Sequence, residues 1–280
     1  MNGDILEIEH FSKTYKGGNK AVDDLNLSVA AGSIYGFIGP NGAGKTTTLS
    51  SIAGILDFEE GTIRINGIDI KKDPVAAKKI TAFLPDNPDL YEFLKGADYL
   101  NFIGDLYMIP DERRTQLIKK YADAFKISDV LGSPISGYSH GMKQKLALTS
   151  ALMREPTLLM LDEPFVGLDP LASHILKEYL HELCDRGGAV FFSTHVLEVA
   201  QNLCDHIAII KNGRLVESGT TAEVTGKSSL EDVFLELAGN PDDREAVTDA
   251  SDDRGITADT SDTDSCTSAY TSDDSSSRKV

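Results

Sequence analysis

Two kinds of hydrophobic pattern run through the chain. Residues 5–11, 25–29, 62–65 and 67–70 alternate apolar and polar side chains, which predicts half-buried strands in a mostly antiparallel layer. Residues 33–38, 81–84, 158–161, 190–193 and 207–210 are short, continuous apolar runs. Such runs predict parallel strands covered on both faces, and together they form a central sheet. From 87 to 137 the period turns helical, with Tyr99, Phe102, Ile103 and Leu106 three or four apart and a break at Pro110, so a helical subdomain is expected there. A last helical stripe, Leu230, Val233, Phe234 and Leu237, is stopped by Gly239-Asn240-Pro241. Residues 240–280 are rich in Asp, Ser and Thr and poor in large apolar side chains. They cannot offset the entropy of ordering, which predicts a disordered acidic tail after one domain at 1–239.

Composition narrows the reading. At 280 residues and 41% hydrophobic, the chain can bury one sizeable core. Its net charge of −17 argues against a protein that grips nucleic acid by the phosphates, and the domain without its tail is still acidic. Cys184, Cys204 and Cys266 have no C-x-x-C spacing, so a reducing, cytoplasmic setting is expected. The first ten residues lack the regions of a secretion signal, and no stretch approaches the roughly 18 apolar residues of a membrane span. The chain is therefore expected not to cross a membrane by itself.

Candidate chemistry begins at Gly39-Pro40-Asn41-Gly42-Ala43-Gly44-Lys45-Thr46-Thr47, which fits the phosphate-binding pattern G-x-x-x-x-G-K-[ST]. Glycines let consecutive N–H groups point into one concavity, and the N-terminus of the following helix reinforces that anion nest. Lys45 adds a point charge for the outer phosphates of a nucleotide. Thr46 supplies a hydroxyl for a magnesium ion, and Thr47 a further donor.

Two carboxylates follow at 162 and 163. The apolar run 158–161 carries Asp162 to a strand end, where it can hold magnesium through a coordinated water. Glu163 comes next, placed to accept a proton from an attacking water as general base. His195 closes Phe191-Phe192-Ser193-Thr194-His195 at the same sheet edge, within reach of Glu163 and the terminal phosphate. His10, His174, His181 and His206 are read as structural. Ser139, ahead of the helical stretch with Leu146, Leu148, Ala151 and Leu152, reads as an N-cap with free N–H groups beyond it, a second anion site.

In this order the elements resemble the ATP-binding subunit of an ATP-binding cassette (ABC) transporter over roughly residues 4–238. GPNGAGKTT resembles the Walker A loop, LLMLDE the Walker B strand with its catalytic glutamate, and YSHGM the signature usually written LSGGQ. Gly167-Leu168-Asp169 resembles the D-loop, His195 the switch histidine, and Tyr15 the aromatic that stacks on adenine. The resemblance implies an α/β fold: a P-loop NTPase (RecA-like) core with an antiparallel β subdomain and an α-helical subdomain.

It also implies ATP and Mg2+ as ligands, and a second ATPase subunit, identical or not, set head to tail. Ser139 and Gly141 would then reach the partner's terminal phosphate. There are two departures. Leu84-Pro85-Asp86-Asn87 has Asp86 where the family's Q-loop places glutamine, so a carboxylate would serve the metal ion, and His140 and Met142 replace a Gly and the Gln of the signature.

The expected function is ATP hydrolysis that powers a separate integral-membrane permease, with the chain peripheral on the inner face of the cell membrane. Residues 228–239 resemble the ending of ATPases that serve two-part exporters, which favours export. The competing classes are a soluble ABC machine on ribosomes or nucleic acid, which the acidic balance opposes, and a phosphate-loop kinase or GTPase, which leaves YSHGM, GLD and STH unexplained.

Overall fold

Each continuous apolar run becomes a strand of one sheet. In the computed structural model, which describes residues 3–226 and 228–238, these are β3 (Ile34–Ile38), β6 (Thr81–Leu84), β7 (Leu158–Asp162), β8 (Ala189–Thr194) and β9 (His206–Lys211). They pair in parallel in the order β9-β3-β8-β7-β6. The four alternating segments build the second, antiparallel sheet, β1 (Asp4–Thr14), β2 (Lys20–Ala30), β4 (Glu60–Ile65) and β5 (Ile68–Asp69), in the order β2-β1-β4-β5.

The larger sheet has a sixth strand that no apolar run marks. β10 (Arg214–Thr220) runs antiparallel along β9 at the edge. Its sequence hides it, because an edge strand carries too few buried residues to show a pattern. The signal lay in the turn instead: Asn212 and Gly213 both have positive φ (50° and 78°), the backbone of a tight hairpin.

Alternation along the parallel strands divides the core in two. Leu159, Leu161, Val190, Phe192 and Ile207 face one apolar cluster with Leu146 and Leu148 of α5 (His140–Leu152) and Leu176 and Leu180 of α6 (Pro170–Asp185). Leu158, Met160, Phe191 and Ala208 face the other, with Phe11, Leu25 and Ile63 of the antiparallel sheet and Leu49 and Ile52 of α1 (Lys45–Ile52). One period-2 pattern thus packs α5 and α6 on one side of the sheet, and α1 with the antiparallel sheet on the other.

The helical stretch contains α3 (Gly96–Leu106) and α4 (Asp111–Ala124), with Pro110 as the residue before α4. Only part of the expected stripe is inside: Tyr99 is buried, but Phe102 and Leu106 are 43% and 61% exposed. The reason is Gly104. A Cβ there would meet Arg114 Nε at 2.3 Å, so the buried face of α3 turns toward Tyr99, Leu100 and Gly104 and receives the Arg114 side chain. Between β5 and β6 lies α2 (Pro74–Ile80), unread in the sequence although Asp73 caps it and Pro74 opens it. The last described helices are α7 (Leu197–Leu203), α8 (Thr221–Thr225) and α9 (Leu230–Ala238). The expected tail and Cys266 lie outside the described residues, while Cys184 and Cys204 are buried in the first cluster.

Candidate functional site

Parallel strands deliver their C-terminal ends to one edge, and the loops there can converge on a ligand. The phosphate-binding loop follows β3, Asp86 follows β6, Asp162 ends β7 and Thr194 ends β8. One cleft is lined by the loop residues Pro40, Asn41, Gly42, Gly44, Lys45, Thr46 and Thr47, by Ala21, and by the three carboxylates Asp86, Asp162 and Glu163. Gly39 lies under the loop and is packed too tightly for any other residue: an added Cβ would stand 2.4 Å from the Ile210 carbonyl oxygen. Ala43 is buried.

The geometry suits a polyphosphate. Gly44, at φ 107°, precedes α1 and offers no side-chain cap, so the first N–H groups of that helix have no intramolecular side-chain acceptor. Lys45 Nζ donates to the carbonyls of Gly39 (2.6 Å) and Pro40 (3.3 Å) and lies 3.9 Å from Glu163 Oε1. Burial lowers its pKa, against the opposing pull of Glu163 and Asp162. Tyr15 stands beside the loop, its hydroxyl 3.2 Å from Thr47 Oγ1, with its ring partly open to solvent.

Asp162 and Glu163 are neighbours held in opposite ways. Asp162 is 2% exposed and accepts from Thr46 Oγ1 (2.7 Å) on one oxygen and from Ser193 Oγ on the other. Its partner across the β7–β8 register is Ser193 itself. At Glu163 the chain turns sharply, with φ 49°, a left-handed conformation that a side chain other than glycine adopts at a cost of about 1–3 kcal/mol. The Glu163 N–H is tied to the Ser193 carbonyl (3.0 Å). The turn sends the carboxylate to His195, whose Nδ1 is 2.8 Å from Oε1, and to Thr194 Oγ1, 3.1 Å from Oε2. An ionised carboxylate only accepts, so this contact places the imidazole proton on Nδ1.

The donor set fits magnesium, a hard ion that takes a hydroxyl, one or two carboxylates, water and substrate phosphates. Thr46 and Asp162 are already side by side, and Asp86 lines the same cleft. Among the described residues no group of three or more His, Cys, Asp or Glu side chains is arranged to hold a metal ion.

Three expected site residues lie elsewhere. Ser139 caps α5, accepting from the Met142 N–H at 3.3 Å, and with Gly141 it is outside the cleft lining. Asp169 caps α6 through the Ala172 N–H (2.9 Å) and pairs with Lys145 (2.5 Å), whose hydrogen bond, followed by that of the backbone, holds the carboxyl below its usual range. These two helix starts touch. A Cβ on Gly141 would come within 3.0 Å of the Gly167 carbonyl, and one on Gly167 would meet the His140 ring at 2.8 Å. Sequence reasoning missed the hydroxyls of Ser193 and Thr194 and the backbone turn at Glu163. The Ser-Thr pair before His195 was the available signal.

Comparison with known proteins agrees with this geometry. A family model described as ABC transporter matches residues 22–166. The ABC-type transporter ATP-binding protein EcsA of Bacillus subtilis (strain 168) is 34% identical over 238 residues, which cover 83% of this chain and 96% of EcsA. The daunorubicin/doxorubicin resistance ATP-binding protein DrrA of Streptomyces peucetius is 35% identical over 232 residues, covering 83% of this chain and 69% of DrrA. A solved structure described as the ATP binding subunit of an ABC transporter superposes with a TM-score of 0.80 at 33% identity, covering 84% of this chain and 99% of that one.

Proposed function

The chain belongs to the ABC transporter family of ATP-binding subunits, an ATPase family, and on that premise we propose that it drives a separate integral-membrane permease, working as an exporter. The observation that carries this reading is the grouping of Lys45, Thr46, Asp162 and Glu163 in one cleft, with His195 hydrogen-bonded to Glu163. Lys45 and the α1 N-terminus take the outer phosphates, with Tyr15 against the adenine. Thr46, Asp162 and Asp86 hold magnesium, which would neutralise phosphate charge during transfer. Glu163 takes the proton of the attacking water, and His195 fixes the Glu163 carboxylate from one side.

Ser139 and Gly141 lie outside their own chain's cleft, which supports a head-to-tail pair in which each subunit closes its partner's site, with Asp169 at the seam. A separate permease is supported by two features. Among the described residues no helix is long and apolar enough to cross a membrane. Beyond Asp86, Tyr91 and Phe93 are 50% and 81% exposed and cluster with Phe102, an aromatic patch suited to a docked partner. Such docking would hold the chain on the cytoplasmic face of the membrane. Export is supported by the drug-resistance name of DrrA and by the ending at 228–239. Extraction of source membranes in mild detergent and capture of the full chain should bring down a multi-span protein. Repeated capture of an active ATPase without one contradicts the proposal.

A further inference from the structure

The carboxylate of Glu163 has more partners than a base needs, and their arrangement singles out one oxygen. Oε2 accepts from Thr194 Oγ1 (3.1 Å) and from the His195 backbone N–H (3.3 Å). Oε1 meets His195 Nδ1 (2.8 Å) and, farther off, Lys45 Nζ (3.9 Å) across the cleft. A carboxylate oxygen has two lone-pair directions, so Oε2 is filled while Oε1 keeps one.

The direction of the Thr194 hydrogen bond is also fixed. Its hydroxyl has one proton to give, and the Val196 N–H donates to the same oxygen (3.0 Å), so the proton is left for Glu163. Thr194 is 2% exposed, which keeps water from replacing that contact. The backbone N–H of Glu163 is meanwhile held by the Ser193 carbonyl (3.0 Å), so the end of β8 grips this residue at both its main chain and its side chain.

We infer that Thr194 is a positioning residue for hydrolysis: it pins Glu163 Oε2 so that Oε1, facing the Lys45 side of the cleft, takes the proton of the attacking water. In that step the water oxygen bonds to the γ-phosphorus, the bond from that phosphorus to the bridging oxygen breaks and ADP leaves, and the water proton passes to Oε1. The inference rests on the reading of Glu163 as the base. It adds that the hydroxyl of a second residue, buried and outside the cleft lining, sets where the base points.

The test is steady-state ATP hydrolysis by the full chain and by Thr194→Val, Thr194→Ala and Thr194→Ser, with fluorescent-nucleotide binding to each. A hydrogen bond to a charged group predicts that kcat falls about 10- to 100-fold in the Val and Ala variants, while KM and nucleotide affinity stay within about twofold. Thr194→Ser should recover kcat to within about threefold. The Ala variant adds no apolar methyl against the Val196 N–H, so it reports even if the Val variant fails to fold. Unchanged kcat in the Val and Ala variants, or equal losses in Ser and Val, overturns the inference. Glu163→Gln is measured alongside. Normal turnover there removes the base itself, whereas an inactive Glu163→Gln beside a normal Thr194→Val removes only the role of Thr194.

Discussion

His195 Nδ1 lies 2.8 Å from Glu163 Oε1, joining the residue after β8 to the residue after β7 across adjacent strands of one sheet. The Glu163 backbone is set by the turn at φ 49° and by its N–H tied to Ser193, which leaves His195 to hold its carboxylate from one side. His195→Ala should therefore leave nucleotide binding intact while lowering turnover about 10- to 100-fold, because a base held on one side only samples other directions. Single-turnover hydrolysis beside an equilibrium binding titration checks this. A loss confined to affinity would contradict it.

The legible part of the fold was that written in long-range periodicity. Short apolar runs such as 158–161 fit strands covered on both faces, and the alternating segments at 5–11 and 25–29 fit strands covered on one. The phosphate-binding loop was legible because two of its glycines have no substitutes: Gly39 is pressed against Ile210, and Gly44 stands at φ 107°. Three things were not legible. β10 is an edge strand with little burial, α3 turns on Gly104 rather than on its apolar stripe, and the grip of Ser193 and Thr194 on the two carboxylates depends on the β7–β8 register. Register is a property of the pair of strands, and neither sequence segment contains it alone.

Lys45 carries a pH signature. Burial lowers its pKa from 10.5, and phosphates favour the ammonium form, so nucleotide affinity should weaken as pH rises through a value below 10.5. Lys45→Arg keeps its charge throughout and should lack that limb, while Lys45→Ala should bind at least about tenfold more weakly near pH 7, with the gap to the unmodified chain narrowing as pH rises. Fluorescent-nucleotide titrations between about pH 7 and 10 distinguish the three. A flat profile in the unmodified chain would count against the role of Lys45.

Gly39 and Gly42 make a paired test of the loop. Gly39→Ala places a Cβ 2.4 Å from the Ile210 carbonyl oxygen, backbone that cannot give way, so the loop must lift from β9 and nucleotide binding should be lost. Gly42→Ala meets open space at φ 80°, so only the backbone strain of about 1 kcal/mol applies, and affinity should fall a fewfold. Calorimetric titration of both variants would show the ranking. Equal effects would refute the packing argument.

Arg154 ties the helical layer to the sheet. Its guanidinium lies 3.5 Å from the centre of the Tyr107 ring and donates to the carbonyls of Lys78 (3.1 Å) and Thr81, at the end of α2 and the start of β6. Arg154→Ala leaves two carbonyls short of a donor and the ring uncovered. The expected loss is about 2–4 kcal/mol, a drop in Tm of roughly 5–15 °C. Lys in its place has no planar group to lie over the Tyr107 ring and should recover less than half. Thermal unfolding of the two variants decides it, and an unchanged Tm in Arg154→Ala would remove this tie.

The central claim is that Glu163 takes the proton from water while Lys45 and its loop hold the triphosphate. Single-turnover hydrolysis of radiolabelled ATP by Glu163→Gln, with magnesium and with bound nucleotide counted in the same samples, tests this most directly. ATP should remain bound while hydrolysis slows at least about 100-fold. Hydrolysis at the unmodified rate would contradict it.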